Sequence, residues 1–198
     1  MKRMLFWAVG IILTIAAIGG GLFFYSPALL VDTVDRIASR ADVKKIADGV
    51  TFGPNNRNQL DIWSTAEKDT ELKPVLVFFY GGGWANGERG EYGYAARPFV
   101  ENGYVVVIPD YRLVPEVRFP GFLEDSAAAV KWVQANIAQY GGDPARVNVA
   151  GHSAGAYNAA MLALDRKWLG DNPVKAAISL AGPADFYPFT SKIGRAHV

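Results

Sequence analysis

The chain has 198 residues, 51% of them hydrophobic and 20% charged, with a formal net charge of +1. That is an ordinary globular composition without the basic excess that nucleic-acid binding needs. Cysteine is absent, which excludes disulfides, thiolate metal sites and a cysteine nucleophile but leaves the compartment open. No cofactor or metal is expected, and the expected partners are a small-molecule substrate and a membrane.

The membrane expectation comes from the N-terminus. Lys2 and Arg3 precede an uncharged run from Met4 to Tyr25, long enough to cross a hydrocarbon core of about 30 Å. Residues 1–27 therefore read as a cytoplasmic stub and transmembrane helix. The basic flank keeps the N-terminus inside and the remainder outside, on the periplasmic side of a bacterial inner membrane. Cleavage as a signal peptide near Ser26-Pro27-Ala28, giving a secreted or periplasmic protein, is the alternative. Leu30, Val34, Ile37 and Ala41 then recur at helical spacing among charged residues, so 28–48 reads as an amphipathic linker.

From Gly49 the pattern becomes that of strands. Val50-Thr51-Phe52, a turn at Gly53-Pro54-Asn55-Asn56, and the alternating Leu60-Asp61-Ile62-Trp63 predict a β-hairpin. A charged loop leads to Val75–Tyr80, an apolar run without polar alternation that suits a strand buried on both faces. It ends in Gly81-Gly82-Gly83-Trp84. A phosphate loop would need a lysine and Ser/Thr, which do not follow. An oxyanion hole needs only backbone donors near a reacting carbonyl, and a tight loop without ligand is the plainer reading.

A helix ending near Val100 and a buried strand at Tyr104–Ile108 come next. The segment 122–140 places Ala127, Val130, Val133 and Ile137 on one helical face and ends at Gly141-Gly142. Val147-Asn148-Val149-Ala150 then breaks into Gly151-His152-Ser153-Ala154-Gly155 and resumes as an alanine-rich helix. This strand, G-x-S-x-G and helix succession is the nucleophile-elbow pattern. Glycines two residues either side let the chain pass close to itself while a serine hydroxyl stays exposed. Strand and helix alternation predicts a parallel α/β sheet.

Taken together and in order, Tyr80-Gly81-Gly82-Gly83-Trp84, Asp110-Tyr111-Arg112-Leu113, Asp143-Pro144-Ala145-Arg146-Val147 and Gly151–Gly155 resemble the α/β-hydrolase carboxylesterases of the hormone-sensitive-lipase-like and feruloyl-esterase-like group. The resemblance implies an α/β-hydrolase fold, a mostly parallel sheet flanked by helices, over 49–192. It implies Ser153 as the catalytic nucleophile attacking an ester, and an oxyanion hole formed by the N–H groups of Gly82, Gly83 and Ala154. Tyr80 stands where the family usually has histidine, which leaves open how the glycine loop is braced. Asp125 is expected to be structural, and Asp110 and Arg112 to shape the loop beside the site. His152, adjacent to the nucleophile on a tight turn, is not expected to be the base.

The triad order in this fold is serine, acid, histidine, and only 45 residues follow Ser153. The resemblance places the acid and histidine after two later strands, which makes Asp185 too early for the acid, so the expectation is that the triad acid and histidine are not present and that the fold is incomplete at the C-terminus. His197 is no substitute: Ile193-Gly194-Arg195-Ala196-His197-Val198 translates one frame of a common short-read sequencing adapter, and 193–198 reads as an artefact. The expectation is an ester hydrolase of which this fragment is inactive. A membrane-anchored non-catalytic binding module, or an amidase or thioesterase with the same elbow, are the alternatives.

Overall fold

The computed structural model describes residues 2–38, 42–65 and 70–185. The chain divides into two compact units, Met1–Arg40 and Ala41–Val198.

The first unit holds two helices, α1 (Lys2–Tyr25) and α2 (Pro27–Ala38). Pro27 opens α2, where its missing N–H costs nothing, and the Ser26 hydroxyl accepts the Leu29 N–H at 3.2 Å as an N-cap. Arg36 pairs with Asp32 one turn back at 2.8 Å. The contiguous described side chains of α1 run only from Gly10 to Gly21. Among the described residues no helix is long and apolar enough to cross a membrane, so the expected transmembrane helix has no support here.

The expected linker, 28–48, contains regular elements. Its helix ends at Ala38, and β1 (Val43–Thr51) starts well before Gly49. Along β1 half-buried and exposed positions alternate from Val43 to Asp48, the period of a strand with one covered face. Two adjacent lysines hid that alternation. Lys44 pairs with Asp42 at 3.0 Å, whereas Lys45 reaches Asp61 on the neighbouring strand at 2.7 Å.

The second unit is built on one six-stranded sheet. Its strands are β1, β2 (Gln59–Thr65), β3 (Lys73–Phe79), β4 (Val105–Pro109), β5 (Gly142–His152) and β6 (Ala177–Leu180). They lie in the order β1-β2-β4-β3-β5-β6. The β1–β2 and β2–β4 pairs are antiparallel and the other three parallel. Helices α3 (Gly93–Glu101), α4 (Gly121–Asn136) and α5 (Ala154–Leu164) supply the crossovers. The helix expected over 122–140 stops at Asn136 and tightens into a 3-10 turn, Ile137–Tyr140, which Gly141 ends at φ 82°.

The core is the central parallel strands. Val75, Val77, Phe79, Val105–Ile108, Val147 and Val149 are all buried, as expected of strands covered on both faces. Within it, β3 pairs with β5 in register from Val75↔Val147 to Phe79↔Gly151. Whatever follows Phe79 and whatever follows Gly151 must therefore emerge side by side at the carboxyl edge, where open α/β sheets place their sites. The outer strand β6 is exposed, with Ile178 and Leu180 more than a third accessible.

Candidate active site

Two loops leave that carboxyl edge together. At the end of β5 the chain turns at Ser153 with φ 53° and ψ −119°, a conformation that costs a side-chain-bearing residue about 1–3 kcal/mol and persists only where its surroundings impose it. Packing imposes it here. A β-carbon on Gly151 would fall on the Gly155 carbonyl, and one on Gly155 on the carbonyls of Phe79 and Tyr80. The Ser153 N–H donates to the Leu180 carbonyl at 2.8 Å, and its carbonyl accepts from the Ala156 and Tyr157 N–H groups. Ala154 opens α5, so its N–H belongs to the first turn and has no intrahelical acceptor. The positive end of the helix dipole lies at the same place.

The second loop follows β3. Gly82 and Gly83 take φ 126° and 60°, and Trp84 follows at 56°. The Gly82 carbonyl accepts the N–H groups of Ala85 and Asn86 at 3.1 Å, and a β-carbon at Gly82 would strike the Asn86 carbonyl. One added at Gly81 would lie 3.1 Å from the Ser153 β-carbon and 3.1 Å from His152 Nδ1, so the glycine loop rests on the elbow. Trp84 anchors the loop from below. Its indole N–H donates to Asn158 Oδ1 at 2.9 Å, and Asn158 donates in turn to Ser126 Oγ at 3.1 Å. The ring stacks on Phe122 and meets Tyr157 edge-on.

How the loop is braced without a histidine is now visible. The buried Tyr80 ring stacks on Tyr111 and Tyr92, with centroids 4.8 and 5.2 Å away. Its hydroxyl donates to Asp110 Oδ1 at 2.7 Å and accepts from Arg57 Nη2 at 2.8 Å. Asp110 also receives the Arg89 N–H at 2.8 Å and Arg89 Nη1 at 2.5 Å, and Arg89 Nε reaches Asp61 at 2.8 Å. Burial pushes Tyr80 and Tyr111 far above the usual phenol range and Tyr92 up to about 12. Burial disfavours the charge of Arg57, but Tyr80 and Asp110 more than offset it. The tyrosines thus stay neutral and the arginines charged.

The elbow that carries Ser153 and Ala154 and the loop that carries Gly82 and Gly83 thus meet at Gly81, which lies against Ser153 and His152. Asp125 is structural, as expected: it takes Arg112 in a fork, at 2.8 Å from Nε and 2.9 Å from Nη2, and the Arg112 backbone N–H at 2.8 Å. Arg112 is held charged chiefly by that hydrogen bond. Asp110 does more than shape the adjoining loop, since it anchors Tyr80. His152 is exposed beside Gly81, Asp185 is exposed after β6, and His197 lies outside the described residues. Sequence reasoning missed Arg57, Arg89 and Asp61; the one signal was an aspartate inside an apolar strand. Among the described residues no His, Asp or Glu cluster could hold a metal.

The chain is similar to known proteins. The chain is 36% identical over 116 residues to the esterase LipC of Mycobacterium tuberculosis, covering 58% of this chain and 29% of LipC. It is 40% identical over 102 residues to the carboxylesterase NlhH of the same organism, covering 51% and 32%. Among solved structures, fungal esterases of Rhizomucor miehei match at 31% identity with a TM-score of 0.58, over 65% of this chain and 42% of theirs. The chain spans about a third of the length of the curated relatives it matches. The BD-FAE family model matches residues 60–197, more than half of the chain, which therefore belongs to the BD-FAE family.

Proposed function

We propose that this chain carries the nucleophile and oxyanion parts of a serine hydrolase acting on carboxylic esters. Ser153 Oγ attacks the ester carbonyl, and its proton passes through a general base to the departing alcohol. The developing oxyanion is received by the N–H groups of Gly82, Gly83 and Ala154, and water then releases the acid from the acyl-enzyme. The observation that carries the reading is the contact between the glycine loop and the elbow, with Gly81 against Ser153. Donors of a backbone type need no histidine at position 80, only a rigid loop. The esterase names of LipC and NlhH agree with it.

No described residue is assigned as triad acid or base. The 198-residue chain alone is accordingly expected to hydrolyse esters slowly, with what oxyanion stabilisation and binding provide. The test compares the gene's complete reading frame with its Ser153→Ala variant on p-nitrophenyl butyrate and on matched anilide and thioester substrates. Loss of turnover by a factor on the order of 10⁶ is expected for the ester. Equal rates in the two proteins would point to a non-catalytic module, and a preference for the anilide or thioester would rename the substrate class.

The membrane anchor is part of the same proposal. Trp7, Ile11, Ile12, Leu13, Ile15 and Ile18 are each more than half exposed, and a helix apolar all round requires lipid or protein around it. With Lys2 and Arg3 at its N-terminal end, α1 holds the hydrolase domain on the outer side of a bacterial inner membrane.

A further inference from the structure

The loop from Gly81 to Gly87 is held at both ends by one side chain that the elbow pattern does not include. Arg57 lies in the turn between β1 and β2. Its Nη2 donates to the Tyr80 hydroxyl at 2.8 Å, where the loop begins, and to the Gly87 carbonyl at 2.7 Å, where it ends. Its Nε donates to the Tyr111 carbonyl at 2.9 Å. The two ends are also in contact with each other. Gly87 sits at φ 101°, and a β-carbon there would come within 2.9 Å of the Gly81 carbonyl and of the Tyr80 ring. From the other side the Tyr111 hydroxyl donates to the Tyr80 carbonyl at 2.7 Å, which fixes the peptide plane leading into Gly81.

This closure matters because Gly82 and Gly83 have no side chain through which packing could aim their N–H groups. Gly82 and Gly83 adopt positive φ and have wide conformational freedom, yet oxyanion donors act only when they are aimed in advance. A guanidinium offers several donors in a rigid plane and can satisfy three acceptors at once, which a lysine ammonium at the end of a flexible stem does not match.

We propose that Arg57 is a positioning residue for ester hydrolysis, which clasps Tyr80 and Gly87 and thereby holds the Gly82 and Gly83 N–H groups on the oxyanion. This rests on the oxyanion role proposed above for those two groups.

Amide hydrogen exchange on the full 198-residue chain tests the clasp without needing turnover. In Arg57→Ala, exchange across 81–87 rises about tenfold or more while β3, β4 and β5 stay as protected as in the wild type. Added methylguanidinium slows it again, and Arg57→Lys restores it only in part. Tyr80→Phe, which keeps the ring and removes the hydroxyl, gives a smaller rise in the same segment. Unchanged exchange in the loop, or protection lost throughout the sheet, overturns the proposal. In the complete reading frame, Arg57→Ala lowers kcat about 10²-fold with KM within twofold, since a misplacement of about 1 Å costs that much. A raised KM at unchanged kcat also overturns it. If Ser153→Ala keeps its turnover, the hydrolase reading has failed, whereas a dead Ser153→Ala beside a fully active Arg57→Ala removes the clasp alone.

Discussion

Gly81 faces Ser153 so closely that a β-carbon on the glycine would lie 3.1 Å from that of the serine. The two residues follow different strands, β3 and β5, and are brought together by the parallel register Phe79↔Gly151. The proposed nucleophile and the loop proposed to receive the oxyanion are thus one packed unit, and changes at its contact points have definite consequences.

Gly155 has no room for a methyl group, because the carbonyls of Phe79 and Tyr80 occupy the space. These are backbone atoms of the central strand and cannot rotate away. Gly155→Ala should cost about 3 kcal/mol or more, the upper range of overpacking. Urea denaturation followed by tryptophan fluorescence measures it, and an unchanged midpoint would contradict the packing described.

Ser153 holds a backbone conformation that favours glycine. Ser153→Gly relieves that strain and Ser153→Ala does not, so the glycine variant should be the more stable of the two by about 1 kcal/mol. Both remove the hydroxyl and should be equally inactive in the complete reading frame. Denaturation of the two variants side by side checks the sign.

The tyrosine cluster makes the fold sensitive to alkali. Burial raises Tyr92 from 10.0 to about 12 and also raises Tyr80 and Tyr111. The unfolded chain then loses phenolic protons at lower pH than the folded one, so above pH 10 the folded state binds more protons and stability falls as pH rises. Below pH 10 these residues contribute no pH dependence. Urea midpoints at pH 8 and pH 9 should agree as far as the tyrosines are concerned, with a decline between pH 10 and 12 that tracks tyrosinate absorbance. A Tyr80→Phe variant with an undiminished alkaline decline would remove Tyr80 from that account.

Cell fractionation tests the anchor. The full-length chain should sediment with membranes, resist alkaline carbonate and come into solution with detergent. A soluble periplasmic species shortened near Ala28 would replace the anchor by a cleaved signal. A soluble full-length protein would mean that the exposed apolar side chains of α1 are covered by something other than lipid.

Much of the site was legible locally. The buried strands β3, β4 and β5 show as apolar runs, and the elbow and glycine loop show as glycines at fixed spacing, because those features answer to steric demands within a few residues. The start of β1 was not legible. Lys44 and Lys45 break the apolar pattern, and only the cross-strand partner Asp61 explains why Lys45 sits there.

The sequence by itself thus determined the α/β class, the place of Ser153 and the glycines around it. The bracing of the glycine loop was decided by tertiary structure alone. Arg57, Tyr80, Asp110 and Arg89 come from four segments, with hydrogen bonds spanning 21 to 30 positions and one of 54 to the Tyr111 carbonyl. Nothing in their local spacing pairs them. The sheet order β1-β2-β4-β3 brings their loops to one edge, and inside that low-dielectric edge each buried donor and acceptor takes the partner that distance in space allows.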